Sequence, residues 1–128
     1  MATVYGFSGS PRSGANTDTL VSAVLEGAAA AGAETRLLRI QDMNMRPCCA
    51  CMWCRENHGC AMKDDFSPLW PELFEADAFV IGSPVFMWQM TAQTKTLVDR
   101  LYPVMNADFS TRLAKKPKMA LCFTQGHP

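Results

Sequence analysis

The chain has 128 residues, the length of a single domain. Hydrophobic residues make up 48% of it, charged residues 19%, and twelve Lys and Arg balance twelve Asp and Glu. A formal net charge of zero argues against nucleic-acid binding by phosphate neutralisation and against a polybasic membrane-surface protein. No apolar run approaches the about 18 residues that a membrane span needs.

The chain opens with a short apolar run, Thr3 to Phe7, stopped by Ser8-Gly9-Ser10-Pro11. This spacing predicts a buried strand followed by a turn. From Asn16 to Ala31, Leu20, Val21, Val24, Leu25 and Ala28 fall on one helical face, with Gly32 as the stop. Glu34 to Ile40 reads as a second strand. Residues 41–64 have no clear period and read as a long functional loop. A second helix is expected from about Ser67, where Phe66, Leu69, Trp70, Leu73 and Phe74 keep helical spacing. Ala78 to Ile81 is a third strand, ended by Gly82-Ser83-Pro84. Thr91 to Leu101 is a third helix with Thr91 as N-cap, and Lys118 to Phe123 a fourth strand.

Strands alternating with helices predict an α/β fold with a parallel sheet covered on both faces. The continuous apolar run Phe79-Val80-Ile81 agrees, because both faces of such a strand are buried. Ligands of these sheets bind at the carboxyl ends of the strands. The unusual segments of this chain follow strands one, three and four, so they are expected on one sheet edge.

The first segment runs from Ser8 to Thr17. Small residues, several hydroxyls, Arg12 and a helix N-terminus suit a phosphate cradle. The segment lacks the spacing of a Walker A loop, of a dinucleotide fingerprint and of a cysteine phosphatase loop. An ordinary hydroxyl-rich turn is the alternative. The second segment is Cys48-x2-Cys51-x2-Cys54-x5-Cys60, with Cys49 spare and His58 a bystander. Four thiolates on one short loop suit a four-iron cubane, one on each iron. Zinc is the less favoured metal, since its sites more often use two separated pairs. A redox disulfide or a metal-free loop are the plain alternatives. Five of the six cysteines crowd into residues 48–60, unlike a secreted disulfide framework. With no signal-peptide pattern at Met1 to Tyr5, a reducing cytoplasm is expected. The third segment, Gly82 to Met90, carries Phe86, Met87 and Trp88. It reads as an exposed apolar loop that a planar aromatic cofactor would cover, or simply as core or subunit contact. Thr124-Gln125-Gly126-His127 adds small polar groups at the same edge.

Gly9-Ser10-Pro11-Arg12…Asn16-Thr17, Gly82-Ser83-Pro84-Val85-Phe86 and Thr124-Gln125-Gly126 resemble the three FMN-contacting loops of the flavodoxin-like NAD(P)H-dependent FMN reductases. The likeness runs from Thr3 to Gly126. The four cysteines, with Lys63-Asp64-Asp65-Phe66 after them, resemble the iron–sulfur flavoprotein branch. The resemblance implies that Ser8, Ser10, Arg12, Asn16 and Thr17 hold the FMN phosphate. Pro84, Val85, Phe86, Met87 and Trp88 would lie along the isoalloxazine ring, and Thr124, Gln125 and Gly126 at its other side or polar edge. Cys48, Cys51, Cys54 and Cys60 would hold a [4Fe-4S] cluster near a subunit interface. The implied activity is FMN-dependent electron transfer with a small-molecule or protein donor and acceptor, in a homo-oligomer. A cluster-less NAD(P)H-dependent reductase and a cofactor-free module are the alternatives. Bulky Met87, Trp88 and Met90 depart from the family loop.

The implied sheet is flavodoxin-like, doubly wound, with four strands in the order 2-1-3-4. Its fifth strand and about two further helices are not found before Pro128. The expectation is a C-terminally short domain over 1–128, whose fourth strand is an apolar edge that pairs with another chain or is poorly protected.

Overall fold

Apolar side chains on both faces make the first strand the centre of the sheet. Strand β1 (Thr3–Ser8) is buried from Val4 onward. In this computed structural model, which describes residues 1–127, helix α1 (Asn16–Ala30) follows and returns the chain to β2 (Glu34–Arg39). Gly32, at φ 91°, provides the left-handed exit, and the Ala33 N–H closes back on the Ala28 carbonyl at 3.0 Å. Beyond β2 the chain runs as a loop with two short 3₁₀ turns, Ile40–Asp42 and Trp53–Arg55.

The second helix departs from expectation. Ser67–Leu69 is a 3₁₀ turn, and only Trp70–Phe74 is α-helical (α2). Pro68 and Pro71 each remove a backbone donor, which the first turn of a helix tolerates. Strand β3 runs from Ala78 to Phe86, through the Gly82-Ser83-Pro84 expected to end it. β1 flanks β3 only as far as the Ser8–Gly82 pair. Pro84 therefore has no β1 partner, and its missing N–H breaks no ladder on that side. A two-residue strand β4 (Gln89–Met90) folds back on the end of β3. Helix α3 (Ala92–Asp99) follows, capped by the Thr91 hydroxyl, which accepts the Thr94 N–H. A 3₁₀ turn at Tyr102–Val104 and an irregular stretch lead to β5 (Lys118–Thr124).

β1 pairs in parallel with β2 and β3, and β3 pairs in parallel with β5. Those four strands lie in the expected order, second, first, third, fourth, and β4 is a short antiparallel addition. Val21 and Leu25 of α1 pack on Val4 and Val80 on one face. Phe66, Trp70, Leu73 and Leu97 pack on Phe7 and Ile81 on the other. Each fully buried side chain of this size contributes about 1.5–3 kcal/mol, so the two layers fix both faces of the sheet. Among the described residues no helix is long and apolar enough to cross a membrane.

Candidate functional site

The carboxyl ends of β1, β3 and β5 meet in a cavity of about 260 Å³. From the first loop it takes Ser10, Arg12, Ala15, Asn16 and Thr17. From β3 it takes Pro84, Val85 and Phe86, and after β5 Thr124, Gln125 and Gly126. The three segments therefore converge as expected. Thr17 and Thr124, 107 residues apart, join hydroxyls at 2.9 Å.

Helix α1 opens on this cavity without a side-chain cap. Its N-cap is Ala15, which has no side-chain oxygen. A helix of this length normally begins at Ser, Thr, Asp or Asn. Among the described residues no side chain caps the first turn, and the positive end of the helix dipole stands behind its N–H groups.

A buried network shapes the loop from below. The Asp18 carboxylate accepts the Ser8 hydroxyl, the Gly14 N–H at 2.7 Å and Arg39 Nε at 2.7 Å. Arg39 also donates to the Ser10 carbonyl at 3.1 Å. Burial pushes the Asp18 carboxyl up, but the three donors outweigh it and hold it below the ordinary aspartate value. Above, the loop is locked to α3. Gly9 donates to the Gly82 carbonyl at 2.8 Å, and its own carbonyl accepts the Thr91 hydroxyl at 2.8 Å. A Cβ on Gly9 would sit 1.7 Å from Thr94 Oγ1, so only glycine fits there.

Three predicted residues are not in the cavity wall. Ser8 is fully buried in β1, with its hydroxyl turned to Asp18, and acts on the loop from behind. Met87 and Trp88 form the two-residue turn between β3 and β4, at φ 46° and 61°, and are 84% and 89% exposed. A type I′ turn, one of the two that match the right-handed twist of a tight hairpin, takes positive φ at both central residues. That geometry points both side chains to solvent at the rim and leaves Pro84, Val85 and Phe86 as the apolar wall.

Cys48, Cys51, Cys54 and Cys60 line one second cavity, of about 320 Å³, together with the spare Cys49. Asp99, Arg100, Tyr102 and Pro103 close its other side. All the cysteines are free thiols. Among the described residues no three His, Cys, Asp or Glu side chains converge on one point as ligands of a single ion. Ala50 and Met52 take φ of 54° and 65° between the cysteines. Left-handed non-glycine residues are strained and concentrate at functional loops. Burial pushes the Cys54 thiol up, and neighbouring Cys60 and Cys51 add to the rise. His58 stands edge-on to Phe74 at 5.5 Å. Cys122 packs in the core layer under α1.

This arrangement of loops is shared. A family model described as NADPH-dependent FMN reductase matches residues 2–127. The chain belongs to the NADPH-dependent FMN reductase family. Within it, the chain is 39% identical over 101 residues to an iron–sulfur flavoprotein of Methanocaldococcus jannaschii, covering 79% of this chain and 52% of that protein. It is 34% identical over 109 residues to an iron–sulfur flavoprotein of Methanosarcina thermophila, covering 85% and 57%. The chain thus spans about half the length of these relatives. The NAD(P)H:quinone oxidoreductase of Methanothermobacter marburgensis superposes with a TM-score of 0.77 at 21% identity, over 99% of this chain and 68% of its own. That likeness supports the fold alone.

Several residues of this FMN reductase fold were beyond reach of the sequence reading. Asp18 had a local signal, an acidic residue in the first turn of a helix. Arg39, Arg100 and Arg112 had none for the contacts that matter here, because Asp18, Asp64 and the Cys54 carbonyl lie 21, 36 and 58 residues away.

Proposed function

We propose that this chain is the FMN-binding part of an FMN-dependent oxidoreductase that also carries a four-iron cluster. The observation that carries the proposal is the uncapped N-terminus of α1, aimed into a cavity where the three loops meet. FMN, when bound, supplies the electron-transfer chemistry, and a cluster on the four thiolates would relay single electrons.

The donor sets present match the chemistry of both groups. The first-turn amides of α1, with Ser10, Arg12, Asn16 and Thr17, would hold the phosphate. Pro84, Val85 and Phe86 offer an apolar wall to a flat ring. Thr124, Gln125 and Gly126 offer polar groups opposite. At about 260 Å³ the cavity falls below the usual 300–1,000 Å³ of a complete ligand site. It therefore embraces part of FMN, and further protein surface would cover the remainder. The close spacing of the four cysteines on one loop favours a cubane over zinc. Zinc draws four sulfurs to about 2.3 Å from one point, whereas a cubane takes one thiolate at each of four irons. Binding and orientation are the work of these residues; no side-chain acid–base pair is required of them.

A small-molecule or protein donor and acceptor would take turns at the rim, beside Phe86, Met87 and Trp88. Met119, Leu121 and Phe123 are 57–59% exposed on one side of β5. This apolar stripe favours a homo-oligomer or further protein surface on that face of the sheet. The clustered thiols favour a reducing cytoplasm.

Anaerobic purification with flavin, iron, zinc and acid-labile sulfide counted per chain tests the reading. About one flavin with four irons and four sulfides is expected. Flavin without iron supports the cluster-less reductase. A chain that takes up neither, even with added FMN, overturns the proposal.

A further inference from the structure

Two arginines from the last third of the chain reach back to the cysteine segment. Arg100 lies just past α3 and is 1% exposed. Its guanidinium donates to Asp64 Oδ2 at 2.5 Å, the Arg46 carbonyl at 2.7 Å and Ser67 Oγ at 3.0 Å. Nη2 also reaches Cys60 Sγ at 3.6 Å. Its Nε is buried without a partner among the described residues. Arg112 is half-buried. It donates to the carbonyls of Cys54, Arg55 (2.6 Å) and Asn57 (3.0 Å), and to Asn106 Oδ1 at 2.8 Å. Arg55 adds a tie of its own, donating to the Asn106 carbonyl at 2.9 Å with its guanidinium over the Tyr102 ring.

The cysteine segment does little to hold itself. Its internal backbone bonds are those of one 3₁₀ turn, Arg55 to Met52 and Glu56 to Trp53. Ala50 and Met52 sit in left-handed conformations that need outside support. A guanidinium fork fixes several acceptors at once in one plane, which a lysine ammonium cannot do. Asp64 neutralises Arg100, so the cation is buried as a pair, and Nη2 shares its two hydrogens among Asp64 Oδ1 (3.2 Å), Ser67 Oγ (3.0 Å) and Cys60 Sγ (3.6 Å).

We propose that Arg100 and Arg112 are positioning residues for the cysteine cage. Arg112 holds the Cys54 end through backbone carbonyls, and Arg100 holds the Cys60 end through its sulfur. This rests on the cluster reading above. The two arginines act on different atoms, so their removal has different signatures. A donor aimed at a ligand sulfur raises the potential of a cluster. A clamp on the backbone governs how firmly the metal is kept, and loss of such outer partners typically weakens metal binding 10–100-fold.

Arg112→Ala, Arg112→Lys and Arg100→Lys test this, the last keeping a cation beside Asp64. Amide hydrogen exchange over residues 48–60 is measured before anaerobic reconstitution with ferrous iron and sulfide. Iron release to a chelator and the midpoint potential are measured after it. Arg112→Ala is expected to speed exchange at residues 53–58 and to release iron at least about tenfold faster, with an unchanged potential. Arg112→Lys should not restore either property. Arg100→Lys is expected to lower the midpoint potential while retaining iron better than Arg112→Ala. Wild-type exchange and release in Arg112→Ala, or a wild-type potential in Arg100→Lys, overturns the proposal. If wild-type protein takes up no iron, the cluster reading fails and Arg100's role with it. Hydrogen exchange alone then decides whether Arg112 holds the loop.

Discussion

Replacing Arg39 by Met leaves the Asp18 carboxylate buried without its cation. Asp18 and Arg39 side chains are only 8% and 14% exposed, so solvent screens the pair little. Breaking a buried pair from one side destabilises by about 3–5 kcal/mol. Asp18 keeps the Ser8 hydroxyl and the Gly14 N–H, which places the expected loss at the lower end, about 3 kcal/mol. For a domain of this size that is a fall in Tm of about 10 °C. The sign of the pH dependence follows from Asp18. Its folded pKa lies below the ordinary 3.8, so its contribution is present above that value and is lost as pH falls through the folded pKa. Without Arg39, burial dominates and the folded pKa rises. The gap between variant and wild type should therefore be widest near neutral pH and narrow toward about pH 4. Adding Asp18→Asn removes the stranded charge and should recover most of the loss. FMN affinity, followed by quenching of flavin fluorescence, should fall at least about tenfold in Arg39→Met, since an uncompensated carboxylate then sits beneath the phosphate loop. Urea unfolding across pH supplies the stability data. A gap that does not change with pH, or strict additivity in the double variant, would refute the reasoning.

Gly9→Ala should lose at least about 3 kcal/mol, because its Cβ would meet Thr94 Oγ1 at 1.7 Å inside a buried hydroxyl network; thermal unfolding reads this directly. Met87→Asn with Trp88→Gly should raise stability by about 1–2 kcal/mol, since both positions are left-handed; an unchanged or lower Tm would count against strain in that turn. Burial raises the Asp64 carboxyl, but Arg100 and the N–H groups of Arg46 and Ser67 hold it well below the usual carboxylate range. Stability should accordingly be full above the ordinary aspartate value and decline as acid titrates Asp64 and Asp18, with Asp64→Asn flattening that decline in denaturant melts. Leu121→Lys should reduce concentration-dependent association measured by sedimentation, because it places a charge in the exposed stripe of β5.

Much of the fold was legible because its signals are short in range. Alternating apolar runs marked four parallel strands, and their order followed from the family likeness carried by Gly9 to Thr17, Gly82 to Phe86 and Thr124 to Gly126. The Pro-rich start of the second helix and the run of β3 through Pro84 were not legible. Whether a proline ends an element depends on which neighbour needs its N–H, and that is a property of the assembled sheet. The two-residue turn at Met87-Trp88 was not legible for the same kind of reason. Nothing in Met or Trp announces positive φ; the pairing of Val85 with Met90 and Phe86 with Gln89 imposes it.

By itself, the amino-acid order marked the candidate segments: a small-residue loop before a helix, four cysteines at tight spacing, and an apolar turn after a buried strand. These signals lie within short stretches of chain, so the sequence shows them directly. Tertiary structure alone decided which polar groups stand behind them. Thr17 finds Thr124 across 107 residues, Arg100 finds Asp64 across 36, and Arg112 finds Cys54 across 58. A buried guanidinium or carboxylate takes whatever partner the closed sheet brings within hydrogen-bond reach, and that partner is set by topology and packing, not by neighbours in the chain.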